Sequence, residues 1–101
     1  MTFDGPRLDV HVDADGALAL DGEIDAYTAP ELEASLAGLP DRCVIDLAAV
    51  RFIDSSGLRV IVEAHTHRRD RGGGITLRSP SPSVERLLEI SGVAGHLVVE
   101  P

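Results

Sequence analysis

The 101-residue sequence contains no lysine and no tryptophan, a single cysteine, and only three Phe or Tyr residues. With so few aromatic side chains, a folded core must be built from Leu, Ile, Val and Ala, and a hydrophobic content of 44% permits this. The single cysteine, Cys43, excludes an internal disulfide. Because it opens the apolar run CVIDL, it is predicted to be a buried strand thiol and not a catalytic group.

No segment has the length and apolar character of a signal peptide or a membrane span, so we expect a cytoplasmic protein with no membrane insertion. Acidic residues outnumber basic ones by 17 to 9, and the formal net charge is -8. Such a surface opposes nucleic-acid binding, which requires neutralisation of phosphates. It suits a protein partner with a basic surface.

Alternating apolar and polar residues predict strands over 7–12 and 17–22, joined at Asp15-Gly16 as a hairpin. A helix is predicted to begin at Thr28, with Glu31 completing a capping box, and to stop at Pro40.

The remaining strands and helices follow the same logic. We expect a central strand over 43–47 covered on both faces, a connection carrying Val50, Phe52 and Ile53, a helix from 54–57 onward with Leu58, Ile61, Val62 and His65 on one face, a strand over 75–79, a helix from Ser81-Pro82 to Gly92, and a strand over 96–99.

The order β-β-α-β-α-β-α-β predicts an α/β fold, and the length predicts one domain over 1–101. Strands separated by helices need crossover connections. We therefore expect a mixed, mostly parallel sheet with helices packed on it.

The segment IDSSGL, 53–58, carries the strongest functional signal, because it follows a strand and opens a helix. The first N–H groups of a helix lack intrahelical partners, and the helix dipole adds partial positive charge there. Ser55 is predicted to be exposed beside this anion site, where a phosphate would find free donors. Ser55 or Ser56 can also serve simply as the N-cap, and Gly57 allows close approach of another backbone.

Three other sites are disfavoured by spacing. A serine nucleophile would need a glycine where Ile53 stands, and His65 lies roughly 15 Å along the helix from Ser55. A metal site at His65, His67 and Asp70 is disfavoured because helix positions two apart do not share a face, so these histidines, like His11 and His96, are expected to be solvated.

A phosphate-binding loop at Gly72-Gly73-Gly74 is disfavoured because the run follows a helix and opens a strand, the reverse of the order that such loops need. The run is expected to end the helix and to form a flexible connection. The basic run 68–71 beside it is explained by the dipole at a helix C-terminus and needs no ligand.

The sequence resembles the STAS domain family, and within it the stand-alone bacterial anti-sigma factor antagonists. Three segments carry the resemblance in the family's order: LDGEIDAYTAPEL (20–32), CVIDLAAVRFIDSSGLRVIVEA (43–64) and ITLRSPSPSVERLLEISGV (75–93). The match is loose over 1–19. Many relatives continue into a C-terminal helix after the last strand, whereas this sequence reaches Pro101 there.

The resemblance implies a regulatory protein that is not an enzyme and needs no cofactor. Such proteins bind an anti-sigma factor that is itself a serine kinase, and thereby release a sigma factor. The first serine of the DSSG motif, here Ser55, is implied to be phosphorylated by that kinase and restored by a serine phosphatase. Asp25, Asp54, Ser56 and Gly57 match positions around the phosphorylation site. An alternative within the same fold is a regulatory subunit of a transporter, such as a lipid-exporting ABC complex.

Overall fold

The computed structural model describes residues 8–101, and the predicted order of strands and helices is confirmed there, with one added 3₁₀ turn. Arg7, the first residue of the predicted hairpin, lies outside the described residues. The elements are β1 (Leu8–Val12), β2 (Leu18–Ile24), α1 (Ala29–Ala37), β3 (Arg42–Ile53), α2 (Ser55–Arg69), β4 (Gly74–Arg78), α3 (Pro82–Ile90), the 3₁₀ turn (Val93–Gly95) and β5 (Val98–Glu100).

The five strands lie side by side in chain order, β1-β2-β3-β4-β5. β1 and β2 form the predicted antiparallel hairpin, with Gly16 left-handed (φ 88°) in its turn, and the other three pairings are parallel. Right-handed crossovers that all step in one direction place their helices on one face of the sheet. The mixed, mostly parallel sheet with packed helices is therefore confirmed.

β3 is longer than its apolar run suggests. It extends from Arg42 to Ile53, so Val50, Phe52 and Ile53 belong to the strand and not to a connection. Register shifts against β2 interrupt the regular pairing, and they break the alternation that would have marked one continuous strand.

The central strand is covered on one face and not on both. Ile45 and Leu47 are fully buried under the helices, whereas Val44 and Asp46 are only partly buried on the opposite face. On that face Arg78 binds Asp46 at 2.8 Å, and it also binds Asp13 and Asp15 of the hairpin turn at 3.0 and 2.9 Å. The hydrogen bonds to these carboxylates raise the pKa of Arg78 and tie the turn to the sheet.

The core is aliphatic, as predicted. Its fully buried side chains include Leu20, Ile24, Leu32, Ile45, Leu47, Ile61 and Leu77. They come from the covered face of the sheet and from the inward faces of α1 and α2.

The capping box predicted for α1 is absent. Thr28 occupies the N-cap position, but its side chain does not cap the helix. Its hydroxyl donates to the Glu23 carbonyl at 2.9 Å and accepts the Asp25 N–H at 3.0 Å. Thr28 therefore links the end of β2 to the helix.

Arg68 has a role that the dipole argument missed. Its side chain is 5% exposed and donates to the backbone carbonyls of Leu36, Leu39 and Pro40, as well as to Ala64 of its own helix. A buried guanidinium thus donates to the carbonyls at the C-terminal end of α1 and just after it, although the Leu36 carbonyl also accepts the Leu39 N–H at 3.1 Å. The helix dipole therefore does not account for the whole basic run 68–71, because one of its arginines is buried.

The last third of the chain follows the prediction closely, except before β5. Ser81 caps α3 by accepting the Val84 N–H at 3.3 Å, and left-handed Gly92 follows the helix. His96 ends the 3₁₀ turn and is not in a strand, because β5 begins only at Val98.

His65 is buried, which contradicts the expectation that it is solvated. It is 7% exposed on the inner face of α2, and its Nδ1 accepts the Ile75 N–H of β4 at 2.9 Å. Desolvation and the nearby charges of Arg69 and His96 lower its pKa below 6.5, and the His96 carbonyl partly offsets this.

Stability should therefore fall on mild acidification. The unfolded chain titrates His65 near 6.5 and the folded chain at a lower pH, so the stabilisation is fully present above 6.5 and is lost as pH falls through the lower value. Urea denaturation of wild type and His65→Gln between pH 8 and 5 measures the effect. The variant should show a weaker pH dependence. A His67→Gln control, at an exposed position on the same helix, should keep the wild-type slope, and an equal change in both variants would contradict the assignment.

Candidate phosphorylation and docking site

The ends of β2 and β3 bring the two predicted acidic residues together. Ile24 and Ile53 are register partners in the parallel pairing, and the Asp54 N–H donates to the Ile24 carbonyl at 3.0 Å. Asp25 and Asp54 are the next residues along each strand. The carboxyl edge of the sheet thus places both beside the start of α2.

Asp54 is the N-cap of α2, and neither serine takes that role. Its backbone is extended, and its Oδ1 accepts the N–H groups of Ser56 at 2.9 Å and Gly57 at 3.2 Å. Aspartate and serine cap helices equally well. The chain conformation therefore decides which one does so, because only the extended residue before the first turn can reach those donors.

The Asp54 cap changes the expected environment of a phosphate on Ser55. The N–H groups of Ser56 and Gly57 already bind a carboxylate, so they are not free donors as the sequence suggested. A phosphate on Ser55 would have to compete with the Asp54 carboxylate for them. Because two anions repel at this range, the phosphate is expected to project into solvent.

Ser55 itself is the first residue of α2 and is exposed, as predicted. Its hydroxyl makes no hydrogen bond to any of the residues 8–101 that the structure describes. A kinase can therefore reach this oxygen without disturbing the fold.

Asp25 organises the turn before α1. Its Oδ1 accepts the N–H groups of Tyr27 at 2.9 Å and Thr28 at 3.0 Å, and its carbonyl accepts the Ala29 N–H at 2.8 Å. The carboxylate thus lies on the same edge as Ser55 while being held by its own loop.

Gly57 makes room for neighbouring side chains, and not for another backbone as the sequence suggested. A Cβ at this position would collide with the side chains of Ile24 and Ile53. The glycine lets the first turn of α2 sit directly on the ends of β2 and β3, which fixes where Ser55 emerges.

Two exposed aromatic residues flank the site and were missed at the sequence level. Tyr27 is 67% exposed in the loop after β2, and Phe52 is 48% exposed near the end of β3. A chain with only three Phe or Tyr residues would be expected to bury them in its core. The placement of two of them outside the predicted core positions was the signal that could have pointed to a surface role. A shallow groove adjoins the site, lined by Ala26, Ala29, Pro30, Glu33, Ala34, Ala37 and Ser56.

The structure gives no support to the alternative sites considered from the sequence. The Nδ1 of His65 accepts the Ile75 N–H of β4, so it is not available as a base for Ser55. Within residues 8–101, no three His, Cys, Asp or Glu side chains group as metal ligands. Gly72, left-handed at φ 84°, follows α2 as the predicted helix stop, and Gly73 packs closely against the Asp41 carbonyl. No helix in the described part of the chain has the length and apolar character needed to cross a bilayer.

Removing the cap should destabilise the domain moderately. Asp54→Ala leaves two N–H groups at the start of α2 without their acceptor, at an expected loss of about 1 kcal/mol, whereas Asp54→Asn should stay within a few tenths. Chemical denaturation of the three proteins measures this. If the alanine variant matched wild type, the capping role would be wrong.

The sequence matches a known domain family and several named relatives. The family model described as "Mlab, STAS domain" matches residues 9–100. The anti-sigma-B factor antagonist of Listeria monocytogenes serovar 1/2a is 38% identical over 85 residues, which cover 78% of this chain and 73% of the relative.

Solved structures agree with the fold. The crystal structure of an anti-sigma factor antagonist from Mycobacterium paratuberculosis superposes with a TM-score of 0.77 at 30% identity, covering 97% of this chain and 87% of that one. The Bacillus cell fate determinant SpoIIAA, solved in its phosphorylated form, has a TM-score of 0.66 at 17% identity, covering 92% and 90%.

Proposed function

Since this chain belongs to the STAS domain family, we propose that it is an anti-sigma factor antagonist controlled at Ser55. Its unphosphorylated form binds an anti-sigma factor with serine kinase activity and so releases a sigma factor. Phosphorylation of Ser55 blocks that binding, and a serine phosphatase restores it. The protein acts by binding and carries out no catalysis of its own. The name of the Listeria relative and that of the mycobacterial structure support the antagonist role.

One observation carries the proposal: the exposed Ser55 hydroxyl, which bonds none of the residues 8–101, lies at the start of a helix where Asp54 already binds two N–H groups. A neutral hydroxyl there adds little charge to a docking surface. A phosphate adds about -1.5 to -2 charges, and the N–H groups of Ser56 and Gly57 beside it are already bound by Asp54.

The surface around Ser55 is suited to a protein partner. Tyr27 and Phe52 provide exposed aromatic area, and the groove next to Ser56 is lined mainly by small side chains against which a partner can pack closely. Aromatic side chains often dominate binding energy at protein interfaces. The net charge of -8 favours a partner whose own surface is basic.

A phosphate at the centre of that interface would have to be desolvated. It would lie beside Asp54 and near Asp25, while Arg59, one turn further along α2, is already paired with Glu63 at 3.1 Å. The effective penalty for an unmatched buried ion is several kcal/mol. The switch therefore needs no change of fold.

Affinity capture tests both the partner class and the site. Wild type, Ser55→Ala and Ser55→Asp are immobilised and exposed to lysate of the source cells, and bound proteins are identified by mass spectrometry. Wild type and the alanine variant are expected to retain an anti-sigma factor of the ATP-dependent kinase type, and the aspartate variant to retain much less.

Two outcomes would contradict the proposal. Equal capture of the kinase by the alanine and aspartate variants would remove Ser55 as the switch. Capture of a transporter ATPase subunit instead of a kinase would support the regulatory-subunit alternative.

A further inference from the structure

A second, basic cleft lies at the opposite end of the sheet from Ser55. It has a volume of about 480 Å³ and is formed where β3 and β4 begin and α2 ends. Its lining comprises Arg42, Cys43, Val44, His65, Arg69, Gly73, Gly74, Ile75, Thr76, His96 and Val98. β3 runs from this cleft to Ser55 over 12 residues, roughly 35 Å at the usual rise per residue.

The charge of the cleft is opposite to that of the chain. Acidic residues outnumber basic ones by 17 to 9 overall, yet none lines this cleft among the described residues. Two arginines and two histidines line it instead. Burial raises the pKa of the Cys43 thiol, although Arg68 partly opposes this, so the cysteine contributes no negative charge near neutral pH.

The basic groups of the cleft are not used by the fold. Arg69 makes no ion pair or hydrogen bond with any of the residues 8–101, and Arg42 has only a 3.5 Å contact with the Gly72 carbonyl. By contrast, Arg71 pairs with Asp41 at 2.8 Å, and Arg78 binds three carboxylates. Arg42 and Arg69 thus stand apart from arginines that hold the structure together.

A buried donor at the floor of the cleft is also unpartnered. The Nδ1 of His65 accepts the Ile75 N–H, so in the neutral ring the proton lies on Nε2. The His96 carbonyl acts on the ring and raises its pKa, but no described residue has hydrogen-bond geometry with this buried Nε2. Buried polar atoms without partners are rare and mark sites where a group can be missing.

We propose that this cleft binds the phosphate group of a small molecule through Arg42 and Arg69, with His65 and His96 beside it. Guanidinium groups match phosphate oxygens in bidentate geometry. The Thr76 hydroxyl lines the same cleft and can add a hydrogen bond, whereas the N–H groups of Gly73 and Gly74 already donate to the carbonyls of Arg68 and Asp41. Val44 and Val98 provide apolar surface, and the volume lies within the range of small-molecule sites, so an organic phosphate monoester fits better than the bare ion.

Titration of the ¹⁵N-labelled full chain with inorganic phosphate and with phenyl phosphate, at constant ionic strength, tests the proposal. Saturable shifts are expected for the Gly73, Gly74 and Thr76 amides and for the imidazole resonances of His65 and His96. Phenyl phosphate should bind several times more tightly, because its ring can lie on Val44 and Val98. If inorganic phosphate and phenyl phosphate bound equally tightly, the phosphate-binding role of the cleft would be supported, but its ligand would be the free phosphate ion and not an organic monoester.

Charge-matched variants separate this site from non-specific attraction. Arg42→Gln combined with Arg69→Gln should weaken phenyl phosphate binding by about tenfold or more, since both bidentate donors are lost. Arg86→Gln, at an exposed position on α3 away from the cleft, should leave it unchanged. Retained affinity in the double variant, equal weakening in the control, or the absence of saturable shifts with either phosphate would each overturn the proposal. None of these results depends on the role of Ser55.

Discussion

Phosphorylation of Ser55 is expected to weaken binding of the cognate anti-sigma factor by about a thousandfold, or about 4 kcal/mol. The reason is local, because the phosphate lies beside a carboxylate that already occupies the helix donors. Ser55→Asp, which carries one negative charge and not nearly two, should lose less. Ser55→Ala should bind like wild type, because the hydroxyl makes no internal hydrogen bond to any described residue.

Calorimetry of the purified pair, with the chain quantitatively phosphorylated, measures this loss. Ser83→Asp is the matched control for Ser55→Asp, because it adds the same single charge at an exposed serine in the first turn of α3. The control should bind within about twofold of wild type if screening by salt confines the effect of the charge to its surroundings. Thermal unfolding should be nearly unchanged by phosphorylation, since Ser55 is exposed. A large fall in melting temperature would mean that the phosphate acts by disrupting α2.

Arg68→Ala should destabilise the domain by about 3 to 4 kcal/mol, the largest effect expected of any single polar side chain here. Hydrogen bonds to a charged group are worth about 1.5 to 3 kcal/mol, and buried acceptors left unpaired add a penalty. The substitution removes the side-chain donor from the carbonyls of Leu36, Leu39 and Pro40, of which Leu36 keeps the Leu39 N–H at 3.1 Å. It also empties the space that the guanidinium fills between α1 and α2.

Urea denaturation of Arg68→Ala, Arg68→Lys and Arg69→Ala tests this. Lysine keeps the charge but has no planar fork, so it should recover only part of the loss. Arg69→Ala, one residue further along the helix at an exposed position, should change stability by less than about 0.5 kcal/mol. Similar values for the two alanine variants would show that the contacts of Arg68 contribute little.

Local sequence patterns were reliable wherever the interaction is itself local. The hairpin around Gly16 and the cap of α3 at Ser81 involve residues within a few positions of each other, and both were predicted. The start of α2 was placed correctly, but its cap was not, because Asp54, Ser55 and Ser56 are all good capping residues. The choice among them depends on how the end of β3 is held by Ile24.

The length of β3 and the cover of its faces could not be predicted from its own residues. The strand continues past Leu47 because β2 remains beside it, and the register shifts hide the alternation. Its second face stays open because every crossover steps the same way along the sheet. The length of β3 and its open face both depend on the spatial order of the strands, which its own residues do not encode.

The sequence by itself determined the class of fold, the aliphatic core and the position of Ser55 at a helix start, because periodicity and turn chemistry act between neighbouring residues. Tertiary structure alone decided that Arg68 is buried against α1, that His65 binds β4, and that Arg42 and Arg69 share a cleft. These pairs are separated by up to tens of residues along the chain. Their side chains meet only after the sheet has set the distances between the elements that carry them.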